Sequence, residues 1–332
     1  MSATIHTIAK EAGVSVSTVS KVINGTGKIS QETVTRILKI IREHNYVPQQ
    51  RRQTGNSIAV ITFFYENVSF AHSYDSNVLS GICKSAFELG LDVTLVNGKK
   101  IMQMTVPELH RYFLTSSLSG AILISEASTR QFEACFQEAN LPFVCIGSGL
   151  GSASVTTDSE SAVRSMLDYM VCLGHRKIAY LGLITDRVES HKKRFCAFSS
   201  VLKENGIPLP EEYVINLPDA QNDTIRNALT RLMSRRVPPD AIFFESEAQI
   251  ETINILRSLD FRVPEDVSVS GFYCTESDGG IGCSAIIQPT DLQGDFAVKN
   301  LYALINGQPA SPVVLPCKVI YGNTIRKLDP AR

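Results

Sequence analysis

Residues 12–27, AGVSVSTVSKVINGTG, decide how the amino-terminal part of the chain is read. At period two the stretch is a strand, since Val and Thr favour pleated surfaces. At period 3.6, Val16, Val19, Val22 and Ile23 fall on one apolar stripe. Ser15 then stands where a helix N-cap belongs, and Asn24-Gly25 follows as a stop. The opposite face carries Ser17, Thr18, Ser20 and Lys21. Only the helical reading accounts for both ends and both faces, so a helix is predicted. β-branched residues are mediocre helix formers, so this short helix needs neighbours.

The flanking residues supply them. Thr4 caps a run in which Ile5, Ile8, Ala9 and Ala12 share a face, and Gly13 ends it. Ser30, with Thr33 behind it, opens a longer helix with Val34, Ile37, Leu38 and Ile41 on one side, closing near Asn45-Tyr46-Val47-Pro48. Two short helices joined by a tight turn, with a third packed across them, make a helix-turn-helix unit whose second helix enters the DNA major groove. Small side chains let that helix backbone approach the duplex, while hydroxyls and Lys21 reach bases or phosphates. Charge agrees with this reading. The 332-residue chain has a formal net charge of −1, yet through Gln53 eight Lys and Arg face three Asp and Glu, a net +5, and the remaining 24 against 30 give −6. A basic head on an acidic body is the electrostatic footprint of nucleic-acid binding. The alternative, a three-helix cap on an enzyme, leaves the coincidence of caps, turn and charge unexplained.

The length leaves room for this head and a body too large for one ordinary core. No secretory segment opens the chain and no apolar run reaches membrane-spanning length, which predicts a cytoplasmic protein. The cysteines at 83, 135, 145, 172, 196, 274, 283 and 317 show no C-x-x-C and no His at ligand spacing. They are predicted to be small core residues in a reducing compartment, forming neither disulfides nor a metal site. From Ser57 onward, apolar runs at 58–61, 93–96, 121–124 and 143–146, and again at 178–181, 241–244 and 267–270, alternate with amphipathic stretches at 78–89, 162–173 and 195–204. This is a doubly wound α/β pattern twice over, its two lobes dividing near Thr157-Asp158 and the chain crossing back near 285–312. Strand ends facing a cleft are where small ligands bind. Gly147-Ser148-Gly149-Leu150-Gly151 lacks the G-x-G-x-x-G spacing and reads as a loop between the lobes. Arg187, His191, Lys192, Lys193 and Arg194 form a basic run from which one member can turn inward. Neither a Ser-His-Asp arrangement nor a carboxylate pair stands out, which argues against an enzyme.

These residues resemble the lactose/galactose repressor (LacI/GalR) family of bacterial transcription factors over nearly the whole chain. The resemblance rests first on TIHTIAKEAGVSVSTVSKVING at 4–25, then on NYVP, LGHRKIAYLG, RFCAFSSVLKENGI, RVPEDVSVSGF and VLPCKVIYGNTIR. It implies a small all-α helix-turn-helix head at 1–48, a short hinge at 49–56, and a two-lobed doubly wound α/β core at 57–328 resembling periplasmic sugar-binding proteins. It implies a transcriptional repressor that binds a near-palindromic operator in double-stranded DNA as a homodimer. A small-molecule effector between the lobes would control it, with no cofactor, metal or membrane involved. Thr4, Ser15, Val16, Ser17, Thr18, Ser20, Lys21, Asn24 and Lys28 then make the DNA-facing set, with Val16, Ser17 and Lys21 toward bases. The effector-facing set is Phe63, Ser125, Gly147, Arg194, Ser246 and Tyr273, with Arg194 reaching the ligand.

The chain departs from the family pattern in places. YVPQQRRQTGNSIAVI is shorter than the usual hinge and lacks the leucine that wedges into the minor groove, which leaves Arg51 and Arg52 to attract DNA. TFFYENVSFAHSYDSN is longer than usual. Gly147, Ser246 and Tyr273 stand where relatives place acidic or amide groups, and Ser125 where some place Asn. Those losses would leave Arg194 under-neutralised, which points to an anionic or phosphorylated effector. A regulator of the same fold controlled by a protein partner, its cleft degenerate, is the alternative. The last residues, Asp329-Pro330-Ala331-Arg332, carry no heptad tail, so dimers and not tetramers are expected.

Overall fold

The computed structural model describes residues 4–23, 27, 29–44, 56–62, 73–124, 129–149, 151, 153–185, 189–217, 221–245, 248–273 and 282–328. The head contains α1 (Ile5–Glu11), α2 (Val16–Ile23) and α3 (Gln31–Glu43). Gly13, at φ +64°, turns the chain between the first two helices. Ile8, Ala9, Ala12, Val19, Ile37 and Ile40 form the buried centre of the head, and His44 reaches back from the end of α3 to Glu11. One expectation is corrected here. Leu38 is 39% exposed, and Ile40 takes its place against α1 and α2.

The body holds two six-stranded sheets. The first is built from β1 (Ser57–Thr62), β2 (Asp92–Asn97), β3 (Leu118–Ile124), β4 (Phe143–Ile146) and β5 (Val155–Asp158). Its helices are α4 (Ser73–Glu88), α5 (Gly98–Met102), α6 (Val106–Thr115) and α7 (Arg130–Glu138). The second comprises α8 (Ser159–Cys172), β6 (Ile178–Gly182), α9 (Glu189–Glu204), β7 (Val214–Asn216), α10 (Asn222–Met233), β8 (Ala241–Phe244), α11 (Gln249–Ser258), β9 (Ser268–Tyr273) and β10 (Ser284–Ile287). The chain then runs through α12 (Thr290–Ile305) to β11 (Val313–Pro316) in the first sheet and β12 (Lys318–Ile320) in the second.

Strand order is β11-β5-β4-β3-β1-β2 in one sheet and β12-β10-β9-β8-β6-β7 in the other. All neighbours are parallel except β10 and β12, which run antiparallel. Both sheets thus repeat the 2-1-3-4-5 order of doubly wound folds, whose ligands lie past the strand ends where the order reverses. Strands covered on both faces read as unbroken apolar runs, and β3 and β6 are buried throughout. In β2, at the sheet edge, only Val96 is buried and Leu95 stands 42% exposed.

The chain passes between the lobes three times: after Asp158, through Gln288-Pro289 into α12, and at Cys317 between β11 and β12. Helix α12 therefore completes the first lobe, where Ala297, Val298 and Leu301 pack with Val78 and Ile82 of α4. The two helices touch backbone to backbone. A Cβ on Gly81 would lie 2.1 Å from the Asp291 carbonyl oxygen, and one on Gly294 would lie 2.3 Å from that of Val78.

Two further expectations are corrected. The glycine-rich segment from Gly147 joins β4 to β5 inside the first sheet, where Ile146 pairs with Val155, so it is not a connection between lobes. Of the described cysteines only Cys145 and Cys283 are buried, while Cys83, Cys172 and Cys196 sit on the exposed faces of α4, α8 and α9. A small apolar side chain on an amphipathic helix fits either face.

Candidate functional site

In the head, local capping sets the pitch of the presented helix. Thr4 Oγ1 accepts from the Thr7 amide at 3.3 Å, and Thr7 Oγ1 accepts from the Thr4 amide at 3.4 Å, closing a reciprocal cap on α1. Ser15 Oγ accepts from the Thr18 amide at 3.1 Å and lies 2.7 Å from Ser17 Oγ and 2.8 Å from Thr18 Oγ1. Ser15, Ser17 and Thr18 thus form one hydroxyl cluster at the start of α2. Ser17 and Lys21 are exposed on the face away from Val19, whereas Thr18 and Ser20 are half-buried. Val16 also packs half-buried against the head core, which leaves only its rim for a base. Asn24, Lys28, Arg51 and Arg52 lie outside the described residues, as does most of the 49–56 hinge.

In the body, the polar residues gather past the strand ends of the second sheet. Its order reverses between β6 and β8, and Glu245 follows β8 at that point, its amide donating to the Leu181 carbonyl at 2.8 Å. Gly182, ending β6, allows this approach, since a Cβ there would fall 2.4 Å from Glu245 Cβ. Arg194, from α9, donates through Nη1 to Glu245 Oε1 at 2.9 Å and through Nη2 to Gln288 Oε1 at 3.0 Å. Its guanidinium carbon lies over the Phe272 ring, 4.0 Å from the centroid. One turn earlier, His191 Nδ1 is 2.8 Å from the same carboxylate.

Burial works against the Arg194 charge, but the Glu245 carboxylate outweighs it through charge and hydrogen bond, and the guanidinium pKa rises. Burial first, then the negative charge of Glu245, pushes the Tyr180 phenol up. Among the described residues the buried Tyr180 hydroxyl and Arg194 Nε have no hydrogen-bond partner. Side-chain exposure falls from 24% at His191 to 8% at Arg194 and 0% at Glu245, so the imidazole is the member of the three that meets solvent.

This corrects the sequence reading of the cleft. Arg194 is not under-neutralised: Glu245 supplies the carboxylate. Of the expected effector-facing residues, Gly147 directly follows β4 in the first lobe, where a Cβ would lie 3.6 Å from Tyr74 Oη, and Arg194 belongs to the second lobe. Phe63, Ser125 and Ser246 lie outside the described residues, as does the Tyr273 side chain. Glu245 and Gln288 were missed, although each is the first polar residue past a buried strand. That signal was available in the sequence.

Residues 4–49 match the family described as bacterial regulatory proteins, lacI family, and residues 167–325 match the periplasmic binding protein-like domain. The HTH-type transcriptional regulator CelR of Thermobifida fusca is 26% identical over 329 residues, covering 94% of each chain. Catabolite control protein A of Priestia megaterium is 25% identical over 334 residues, covering 96% of this chain and 98% of the relative. A solved transcriptional regulator CelR–cellobiose complex superposes with a TM-score of 0.70 at 25% identity, covering 97% of this chain and 99% of that one.

Proposed function

We propose that this chain, whose residues 4–49 match the lacI family of bacterial regulatory proteins, is a transcriptional repressor whose hold on its operator is set by a small molecule between the lobes. The observation that carries the DNA half is the exposed face of α2, where Ser17 and Lys21 stand clear of the head core. The operator is near-palindromic and is read in the cytoplasm by two heads, since one short recognition helix spans too few bases for useful specificity. Selection of bound duplexes from a random pool tests this, and recovery of unrelated sequences without a two-fold repeat would refute it. Lys21→Ala should cost about 1–3 kcal/mol of operator affinity, or lower the salt slope by about one if Lys21 rests on phosphate. Fluorescence anisotropy over a salt series distinguishes the two.

Self-association runs through the free edge of the first sheet. Phe87 on α4, Leu95 on β2 and Met102 on α5 are 84%, 42% and 49% exposed, on elements that meet at this edge. Large apolar side chains collected at a sheet edge mark an interaction surface. Phe87→Asp should weaken the dimer by about thirtyfold or more, the scale of an aromatic interface anchor. Sedimentation equilibrium at micromolar concentration reads it, and an unchanged dimer would place the interface elsewhere.

The effector is a neutral, hydroxyl-rich molecule. Arg194 already shares its charge with Glu245, and the cleft meets a ligand first through His191, whose ring can donate or accept. The cellobiose bound to the CelR relative favours a small molecule over control by a protein partner. Calorimetry with neutral sugars, sugar phosphates and organic acids decides the class, and binding confined to the anions would overturn it.

A further inference from the structure

We propose that Gln288 is a positioning residue that conveys the state of the cleft through α12 to α4, and so to the apolar edge of the first lobe. This rests on the reading of cleft and edge given above. Gln288 is the first residue past β10 and is 4% exposed. Its side-chain oxygen is held by Arg194 at 3.0 Å, and its carbonyl accepts from the Thr290 amide at 2.9 Å. The Pro289 carbonyl accepts from the Gln293 amide at 2.9 Å, so the crossing enters the first turn of α12 with no slack.

At Asp291 and Gly294, near the start of α12, its main chain lies directly on that of α4. A Cβ on Gly81 would meet the Asp291 carbonyl oxygen at 2.1 Å, and one on Gly294 would meet Val78 O at 2.3 Å and Ile82 N at 2.6 Å. Between most packed helices, side chains absorb a small displacement by changing rotamer. Here main chain rests on main chain, so a shift of residues 291–294 displaces α4 with them. The outer side of α4 bears Phe87. Two rigid steps therefore join the Arg194 guanidinium to the exposed edge.

Spatial continuity alone does not establish coupling, so the test reads the far end. Hydrogen exchange is followed on the full chain, without ligand, for wild type, Gln288→Leu and Gln288→Glu. The leucine removes the acceptor at similar volume, and the glutamate keeps it. Should the leucine variant not fold, Gln288→Asn withdraws the acceptor by one methylene and takes its place. The expected result is at least tenfold faster exchange along α4 in the leucine variant, unchanged exchange in α10 and α11, and wild-type behaviour for the glutamate. Acceleration confined to 286–294 and α9, acceleration spread equally over both lobes, or a glutamate variant that behaves like the leucine one would each overturn the proposal. Sedimentation of the same samples reads self-association separately: a monomeric wild type would remove the dimer, while exchange in α4 would still decide the role of Gln288.

Discussion

Replacing Glu245 with leucine is expected to lower the unfolding free energy by about 3–5 kcal/mol, the usual loss when one partner of a buried ion pair is removed. Arg194 is 7% exposed and cannot turn to water without leaving Phe272 and Gln288. It would keep a full charge with one side-chain acceptor and the Glu245 carbonyl position, 3.3 Å from Nη1, which a leucine also offers. His191 would lose its carboxylate as well. The second half of the prediction separates charge from packing. Combining Glu245→Leu with Arg194→Met removes both charges, and this double variant should be more stable than Glu245→Leu alone. Urea unfolding measures all three proteins. Equal losses in the single and double variants would mean that the cost lies in shape and not in an abandoned charge.

Gly294→Ala should also destabilise, against the expectation from helix propensity. Within a helix, alanine gains about 1 kcal/mol over glycine. At this position the new methyl would lie 2.3 Å from Val78 O and 2.6 Å from Ile82 N, both main-chain atoms that no rotamer change can move. Overpacking of this kind costs about 1–3 kcal/mol and sometimes more, and a backbone obstacle belongs at the upper end. A net loss of about 2 kcal/mol is therefore expected in denaturant unfolding. A gain in stability would show that α4 and α12 separate freely.

The head was legible because its determinants are local. Thr4 with Thr7 and Ser15 with Thr18 are caps written three residues apart, and the valine stripe repeats within one helix. The limit appears in α3, where residues 34, 37, 38, 40 and 41 are all aliphatic and span more than one face. Periodicity admits Leu38 and Ile40 alike, and only the packed α1 and α2 choose between them. Among the strands, the central ones announced themselves as apolar runs. β7 and β12, three residues each and half exposed, carry too little pattern to be seen.

The candidate site divides along the same line. Arg194 was legible from its basic run, but its partners lie 51 and 94 residues away, and no local period connects them. The inference that Arg194 lacked a carboxylate followed from looking at Gly147 and Tyr273 alone. Folding supplied Glu245 from the neighbouring strand end, admitted there by the missing side chain of Gly182. The hydroxyls of α2 were likewise visible, yet Ser15, Ser17 and Thr18 satisfy one another as well as facing outward.

The triple passage of the chain between the lobes also governs the order in which the protein can fold as it is made. The strands β1 to β5 are complete once residue 158 has been synthesised, yet the helix that covers Val78 and Ile82 ends at Ile305. At about 5–20 residues per second, a ribosome needs roughly seven to thirty seconds to cover that interval. Throughout it the second lobe can assemble strands β6 to β10, while the earlier-born lobe waits with the glycine-notched side of α4 bare. The lobe begun first thus waits for a helix made after β6 to β10 of the other, and the nascent chain shows a sticky aliphatic face to the cell until Ile305 has emerged.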